Sequence, residues 1–369
     1  MGGPHKVGII GLGNISAAYL ETLNGIPSIT VAAVADLDAA RAEAVAAALP
    51  SARAVTVAEL LADDEVTTVL NLTIPAAHAE VALAAIAHGK HVYGEKPLAV
   101  TLEEGRAIVD AAAAAGVSLG TAPDTVLGTG IQTARAALED GSIGTPTAAS
   151  AVMITAGHER WHPQPDFYYR AGGGPLFDMG PYYVSSLVHL LGPVRSVIGA
   201  SVRPLEERLI ESGPRAGERI RVEIDTHIAG ILEHHGGALS TITTSFDGSA
   251  TLAAPIEVHG TGGTLAAPDP NHFHGDVRVF ARNGSEWRTV PASAGYADSG
   301  RGIGLLDMLE SANGDGRASG SIGLHVLEIM VGLTESANAG GQRVQVQSVP
   351  AVPPLVPLTS ADRWRGVPA

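Results

Sequence analysis

The chain has 369 residues, 38 acidic against 23 basic side chains, a formal net charge of −15, and no cysteine. That charge argues against nucleic acid or an anionic membrane surface as the main partner, since both call for a basic face. The missing cysteine excludes a disulfide scaffold, an iron–sulfur cluster, a thiolate zinc site and a cysteine nucleophile, and is compatible with a cytoplasmic protein. A mean hydropathy of +0.19 excludes a long disordered chain. No run of about 18 apolar residues predicts a transmembrane helix, and no signal peptide is read at the N-terminus. At about 150 residues per domain, two domains are expected.

In chain order, Lys6–Ile10 is a short apolar strand leading into Gly11-Leu12-Gly13-Asn14-Ile15-Ser16 and a helix over Ile15–Leu23. Gly11 permits a tight turn, and Gly13 lets backbone amides approach a pyrophosphate at a helix N-terminus, with Asn14 and Ile15 completing the turn. Ile29–Ala35 predicts a second strand, and Asp36 follows it about twenty residues past the glycine turn, where a carboxylate binds the adenosine ribose. A carboxylate there repels a 2′-phosphate, so NAD is expected ahead of NADP, with Asp38 a competing carboxylate and Arg41 near the adenine. After a helix at Ala39–Leu49, the strand Val66–Thr73 brings Asn71, Thr73 and Pro75 to a carboxyl end, where ligands of such sheets sit. His78 either touches the nicotinamide ribose or begins the helix Ala77–His88. The strand His91–Gly94 delivers Glu95-Lys96-Pro97. Lys96 then points beside the nicotinamide, or is a plain surface lysine. Helix Leu102–Ala115 and strand Val117–Thr121 complete an alternation that predicts a Rossmann parallel sheet over residues 1–123.

The pattern then changes. A helix is expected at Ile131–Asp140, followed by strands without intervening helices: Ile220–Ile224, Gly237–Phe246 and Ala254–Gly260. Val277–Ala281 and Glu286–Val290 flank Asn283-Gly284, a hairpin signal. This predicts an α+β domain with a mixed or antiparallel sheet over residues 124–345, a helix at Ile322–Ala337, and a proline-rich tail over 346–369. His158-Glu159-Arg160-Trp161-His162 matches H-E-x-x-H. Gly157 before it and Pro163 and Pro165 after it deny the continuous helix a zinc site needs, so no metal is expected. Asp178, Tyr182, Ser185 and His189 fall on one helical stripe. Asp178 and Tyr182 can therefore meet one substrate together, while His189 lies about 10 Å beyond.

A Rossmann start, then Glu95-Lys96-Pro97, then Gly172-Gly173-Gly174-Pro175-Leu176-Phe177-Asp178-Met179-Gly180-Pro181-Tyr182-Tyr183 resembles the glucose–fructose oxidoreductase / inositol dehydrogenase / MocA family. The likeness runs from about Lys6 to about Ala337. It implies an open-faced C-terminal sheet, a nicotinamide cofactor and a sugar or polyol substrate, with Lys96 as the catalytic lysine and Asp178 as the motif aspartate. Many members carry histidine four residues after the aspartate, whereas this chain has Tyr182. Ala122-Pro123-Asp124-Thr125 is among the stretches that look like a Tyr-bearing subgroup, and Asp124 is taken as a substrate-side residue. Trp161 and His162 either contact a sugar ring or only pack. His227, on a predicted strand, is read as a buried histidine ahead of a substrate contact.

The expected reaction moves hydride between a substrate carbinol carbon and nicotinamide C4. Tyr182 would take the hydroxyl proton, its pKa near 10 lowered by the Lys96 ammonium. Alternatively Lys96 exchanges the proton and Tyr182 only binds substrate. Two other functional classes stay open: a redox-neutral glycosidase-type enzyme using bound NAD, and a non-catalytic NAD-binding regulator. The exposed sheet face is a candidate surface for a homodimer or homotetramer.

Overall fold

The computed structural model describes residues 3–311, 314 and 316–366. It divides into two compact units: Met1–Thr129, Ala294–Leu324 and Pro354–Ala369 form the first, and Gly130–Ser293 with His325–Pro353 the second. The expected boundary after residue 123 lies six residues before the first crossing. Residues 294–324, expected in the sheet domain, and 354–369, expected as a tail, belong instead to the first unit. The chain's two returns to the first unit leave no local signal in composition.

Unit 1 begins with β1 (His5–Ile10), α1 (Ser16–Leu23), β2 (Ile29–Ala35), α2 (Ala39–Ala48), β3 (Arg53–Ala54), α3 (Val57–Ala62) and β4 (Thr68–Asn71). It continues with α4 (His78–Ala87), β5 (His91–Gly94), α5 (Leu102–Ala115) and β6 (Leu119–Thr121). The strands form one parallel sheet in the order β3-β2-β1-β4-β5-β6. Val7, Ile9, Val34, Val69 and Leu70 are fully buried, as continuous apolar strands covered on both faces must be. Thr101 and Glu104 form a capping box that starts α5, and Gly116 in the left-handed region ends it. The strand order reverses between β1 and β4, the position outside whose carboxyl ends such sheets bind ligands.

Unit 2 holds most of α6 (Thr129–Glu139), then β7 (Pro146–Ile154), α7 (Gly174–Leu191), β8 (Val194–Val202), β9 (Glu207–Leu209), β10 (Arg219–Arg221), β11 (His227–His234) and β12 (Leu239–Ser245). β13 (Ile256–Gly260), β14 (Gly263–Ala267), β15 (Val277–Ala281), β16 (Arg288–Val290) and β17 (Val344–Gln345) follow. Nine strands make a mixed sheet in the order β16-β15-β14-β13-β7-β12-β11-β8-β17, in which only β7 and β12 pair in parallel. The strand expected at Ile220–Ile224 is shorter and lies outside this sheet, in the two-stranded ribbon β9–β10.

α8 (Ile303–Glu310) packs near β6 in unit 1, and α9 (Gly320–Asn338) runs from the first unit's last turn into the second. In unit 2, α9 presses on the sheet at glycines. A Cβ on Gly199 would lie 2.2 Å from the Leu333 carbonyl oxygen, and one on Gly230 would lie 2.3 Å from the Leu333 side chain. α7 lies beside it, with Gly180 facing Met330. The opposite sheet face exposes Ile231 and Leu239, which gives the open-faced form. The tail is tied into unit 1 by bridges of Pro357 to Ala294 and Thr359 to Tyr296, and by α10 (Ala361–Trp364), whose Trp364 indole donates to Ala297 O at 2.8 Å. Among the described residues no helix is long and apolar enough to cross a membrane.

Candidate active site

The turn after β1 is built from the expected residues. Gly11 has φ +93°, and a Cβ there would lie 2.7 Å from the Leu72 and Thr73 backbone, so only glycine fits. Gly13 differs: a Cβ there meets nothing within 4 Å, and Gly13 and Asn14 are exposed at the N-terminus of α1. That open cradle at a helix N-terminus fits a dinucleotide pyrophosphate. Asp36 accepts the Leu12 N–H at 2.7 Å, the Asp38 N–H at 2.8 Å and the Arg41 guanidinium at 3.2 Å. Burial opposes its charge, but these donors outweigh it and hold the carboxyl below its usual range. Arg41 therefore sits on Asp36, and also on Asp38 at 3.5 Å.

The other side of the switch point is a braced loop. Asn71 is buried, donates to His78 O at 3.0 Å and accepts the Thr73 hydroxyl at 2.7 Å, so its amide shapes the loop. His78 begins α4, the second of its two expected readings. Its ring is 2% exposed, with Nδ1 at 2.7 Å from Pro97 O and Nε2 at 3.0 Å from Thr73 O. Burial pushes its pKa down. Pro75 starts a short 3₁₀ turn, beyond an exposed Ile74. Leu37 is likewise fully exposed, immediately after Asp36. Periodicity did not single out these two apolar side chains at strand carboxyl ends, yet they suit the faces of an adenine ring.

Glu95 is buried, accepts the Tyr19 hydroxyl at 2.8 Å and the Lys96 N–H at 2.9 Å, and so fixes the backbone from which Lys96 springs. Lys96 is half-buried, and a Cβ on its neighbour Gly94 would meet only open space. Asp124 departs from its expected substrate-side role. It is fully buried in unit 1, where Oδ2 accepts the Gly302 N–H at 2.7 Å and the Gly304 N–H at 3.1 Å. Burial raises its pKa to about 6 against the pull of those amides and of Arg301. It anchors the start of α8, a partner 178 positions away in sequence.

In unit 2, Asp178 and Tyr182 both lie on α7, as the stripe predicted. Asp178 Oδ2 meets the imidazole Nε2 of His158 at 2.8 Å, with both side chains largely buried. His158 sits in a 3₁₀ turn, His158–Arg160, so the two imidazoles of H-E-x-x-H do not share an α-helical face. The turn is clamped from below: the His158 N–H donates to Tyr169 Oη at 3.1 Å, and Tyr169 Oη donates to Glu159. Glu159 accepts Arg208 at 2.9 Å, and Arg208 also pairs with Asp247. The His158 ring packs against Trp161, Tyr168 and Phe246 at 5.2, 4.2 and 4.6 Å. Trp161 is exposed. His162 is half-buried, and its Nδ1 accepts the Gln164 N–H at 3.1 Å. Tyr182 and Ser185 are buried. His189 is also buried, with neither ring nitrogen hydrogen-bonded. Burial, with Arg135 nearby, pushes its pKa down to about 3, so it stays a neutral core histidine. His227 is half-buried, with Nδ1 at 3.0 Å from the Ser245 hydroxyl.

The family model described as an oxidoreductase family with an NAD-binding Rossmann fold matches residues 5–122, and the GFO/IDH/MocA C-terminal domain model matches residues 131–266. The chain is 33% identical over 213 residues to the 1,5-anhydro-D-fructose reductase of Ensifer adhaerens, which spans 56% of this chain and 58% of that protein. It is 28% identical over 265 residues to the myo-inositol 2-dehydrogenase of Thermotoga maritima, spanning 71% of this chain and 75% of that one. Among solved structures, an NAD binding oxidoreductase from Klebsiella pneumoniae superposes with a TM-score of 0.81 at 25% identity, over 93% of this chain and 99% of that chain. A levoglucosan dehydrogenase in complex with NADH and levoglucosan shares the fold at a TM-score of 0.80 and 21% identity, over 94% of this chain and all of that one.

Proposed function

The chain belongs to the GFO/IDH/MocA family of NAD-binding oxidoreductases, and from that premise we propose that it moves hydride between NAD(H) and a secondary hydroxyl or ketone of a sugar, cyclitol or related polyol. Support comes from relatives named for such substrates. The observation that carries the reading is Asp178: an aspartate fixed by an imidazole on a buried helix, beside half-exposed aromatic rings. A carboxylate so held accepts a hydroxyl proton with defined geometry, and aromatic faces suit the C–H faces of a sugar ring.

Gly11, Gly13, Asn14, Ile15 and Asp36 would hold the dinucleotide, with Leu37 and Ile74 flanking the adenine and Thr73 and Pro75 lining the nicotinamide side. NAD is favoured over NADP because Asp36 is the first charge the ribose would meet, and Arg41 is already spent on it. The bound dinucleotide would supply the hydride acceptor or donor. The remaining chemistry falls to the chain. Lys96, fixed through Glu95, supplies a cation that polarises the reacting oxygen. Asp178 binds a neighbouring hydroxyl, Trp161 and His162 contact the substrate, and Tyr182, as the phenolate that an ammonium favours, receives the hydroxyl proton as hydride leaves carbon. The competing assignment gives the proton to Lys96 and leaves Tyr182 a binding role. Purified Tyr182→Phe and Lys96→Met enzymes separate them: the tyrosine assignment expects both to lose turnover, and near wild-type turnover in Tyr182→Phe refutes it. A homodimer or homotetramer formed through the open sheet face completes the proposal.

A further inference from the structure

Aromatic residues are scarce in this chain, yet seven of its fifteen fall between positions 161 and 183. Five rings of unit 2 close a circuit. His158 meets Trp161 at 5.2 Å, Trp161 meets His162 at 5.3 Å, and His162 meets Phe167 at 5.5 Å. Phe167 then meets Tyr168 at 4.0 Å, and Tyr168 returns to His158 at 4.2 Å. The inner member, His158, is bonded to Asp178. The outer members are in water: Trp161 is 60% exposed and Phe167 is 52% exposed.

Folding gains nothing from leaving these two large apolar faces in solvent, since burying them would stabilise the fold. Nor are they loose. Trp161 closes the His158–Arg160 turn, and Phe167 lies in the Asp166–Tyr169 turn. Asp166 of that turn is held by Arg215, and Tyr169 by Glu159. Rigid, pre-placed aromatic faces lower the entropic cost of binding a ring. The shelf also extends outward: His158 is the ring next to Asp178, Trp161 and Tyr168 the second rank, and Phe167 the third. A single-ring polyol engaged by Asp178 would leave the outer rank uncovered.

We infer that the substrate is a glycoside. The ring that reacts engages Asp178, and a second ring, a sugar or an aryl aglycone, lies on Trp161 and Phe167, an assignment that rests on the sugar or polyol reading above. Charged side chains neighbour the rings in sequence: Arg160 pairs with Glu211, and Arg170 with Asp166, groups of the kind that meet sugar hydroxyls while C–H bonds lie on a ring face.

The test uses matched ligands on the full chain with NADH added: methyl and phenyl β-D-glucopyranoside, the same pairs in the galacto, manno and xylo series, and cellobiose. Calorimetric titration in the presence of NADH reads binding, and NAD reduction, in separate reactions supplied with NAD instead of NADH, reads turnover. At least one series is expected to show a preference of about tenfold for the two-ring ligand. That ratio should fall to about twofold or less in Trp161→Ala and in Phe167→Ala, and Trp161→Phe should keep most of it. Both residues are exposed, and thermal melting checks that the variants fold; should either alanine variant fail, the other carries the comparison. The glycoside assignment is overturned if no series shows a preference in the wild type, or if the preference survives both alanine changes. It is also overturned if Trp161→Ala alters only the oligomeric state, which would make the shelf a contact between copies. If no sugar reduces NAD but the binding preference appears and is lost with Trp161, the oxidoreductase reading fails and the two-ring site stands.

Discussion

Asp124→Asn gives a sharp reading of the fold's electrostatics. Asp124 is fully buried, and one of its oxygens holds two backbone N–H groups at the start of α8. An asparagine oxygen can accept both of those donors, so the substitution removes the charge and keeps the bonds. In the folded chain burial raises the carboxyl's pKa to about 6, whereas the ordinary value in an unfolded chain is 3.8. This group therefore favours folding below about pH 4, and that contribution is lost as pH rises through about 6. The gap corresponds to about 3 kcal/mol at neutral pH. Urea unfolding at matched ionic strength, from about pH 4 to 7.5, should show wild type and Asp124→Asn diverging with pH. The variant should gain about 2 kcal/mol relative to wild type across that range, the rest of the difference lying below pH 4. A difference that stays flat within 0.5 kcal/mol (roughly the scatter of such measurements), or that favours wild type as pH rises, refutes the reasoning.

Three further outcomes follow from the two units. Gly13→Ala adds a Cβ that meets no protein atom, so the melting temperature should hold while NAD affinity falls by about tenfold or more; calorimetry reads both, and unchanged affinity would remove the pyrophosphate from that turn. Asp36→Ser should erase most of the preference for NAD over NADP, measured as the ratio of their kcat/KM values, and an unaltered ratio would take Asp36 off the ribose. His158→Phe keeps a ring against Tyr168 and Phe246 but loses the hydrogen bond to Asp178. It should fold normally and lose about 10- to 100-fold in kcat/KM. Wild-type kinetics in that variant would mean that Asp178 needs no partner.

Much of unit 1 is legible because its signals are local. The strands at Ile29–Ala35 and His91–Gly94 and the helix Leu102–Ala115 have the bounds that their apolar runs and caps suggest. The glycine turn and Asp36 lie within one βαβ unit, so spacing alone places them together. Asp178 and Tyr182 are legible for the same reason, being one helical turn apart. What spacing cannot reach is a partner distant in sequence. Asp124 looked like a site residue because its neighbours in sequence do, yet its partners are Gly302 and Gly304. His158 was set aside with a zinc motif that a short 3₁₀ turn cannot support, although its actual partner, Asp178, is 20 residues on. The stripe on α7 places Asp178 and Tyr182 together and His189 about 10 Å beyond, but does not reveal that this helix is buried on nearly all sides, with His189 inside. Short elements such as α3 escape periodicity because six residues hold fewer than two turns.

In the proposed reaction this chain oxidises a sugar-like secondary alcohol, or reduces the corresponding ketone, with a freely exchanging nicotinamide. Its most direct test is the nicotinamide absorbance of the purified protein, mixed with NAD and a panel of monosaccharides, glycosides and cyclitols. Net NADH formation with at least one secondary alcohol, lost in Lys96→Met, is the predicted result. NAD that binds, or copurifies, while the absorbance stays flat across the whole panel and with the corresponding ketones and NADH would contradict it, and would return the chain to the redox-neutral or regulatory classes.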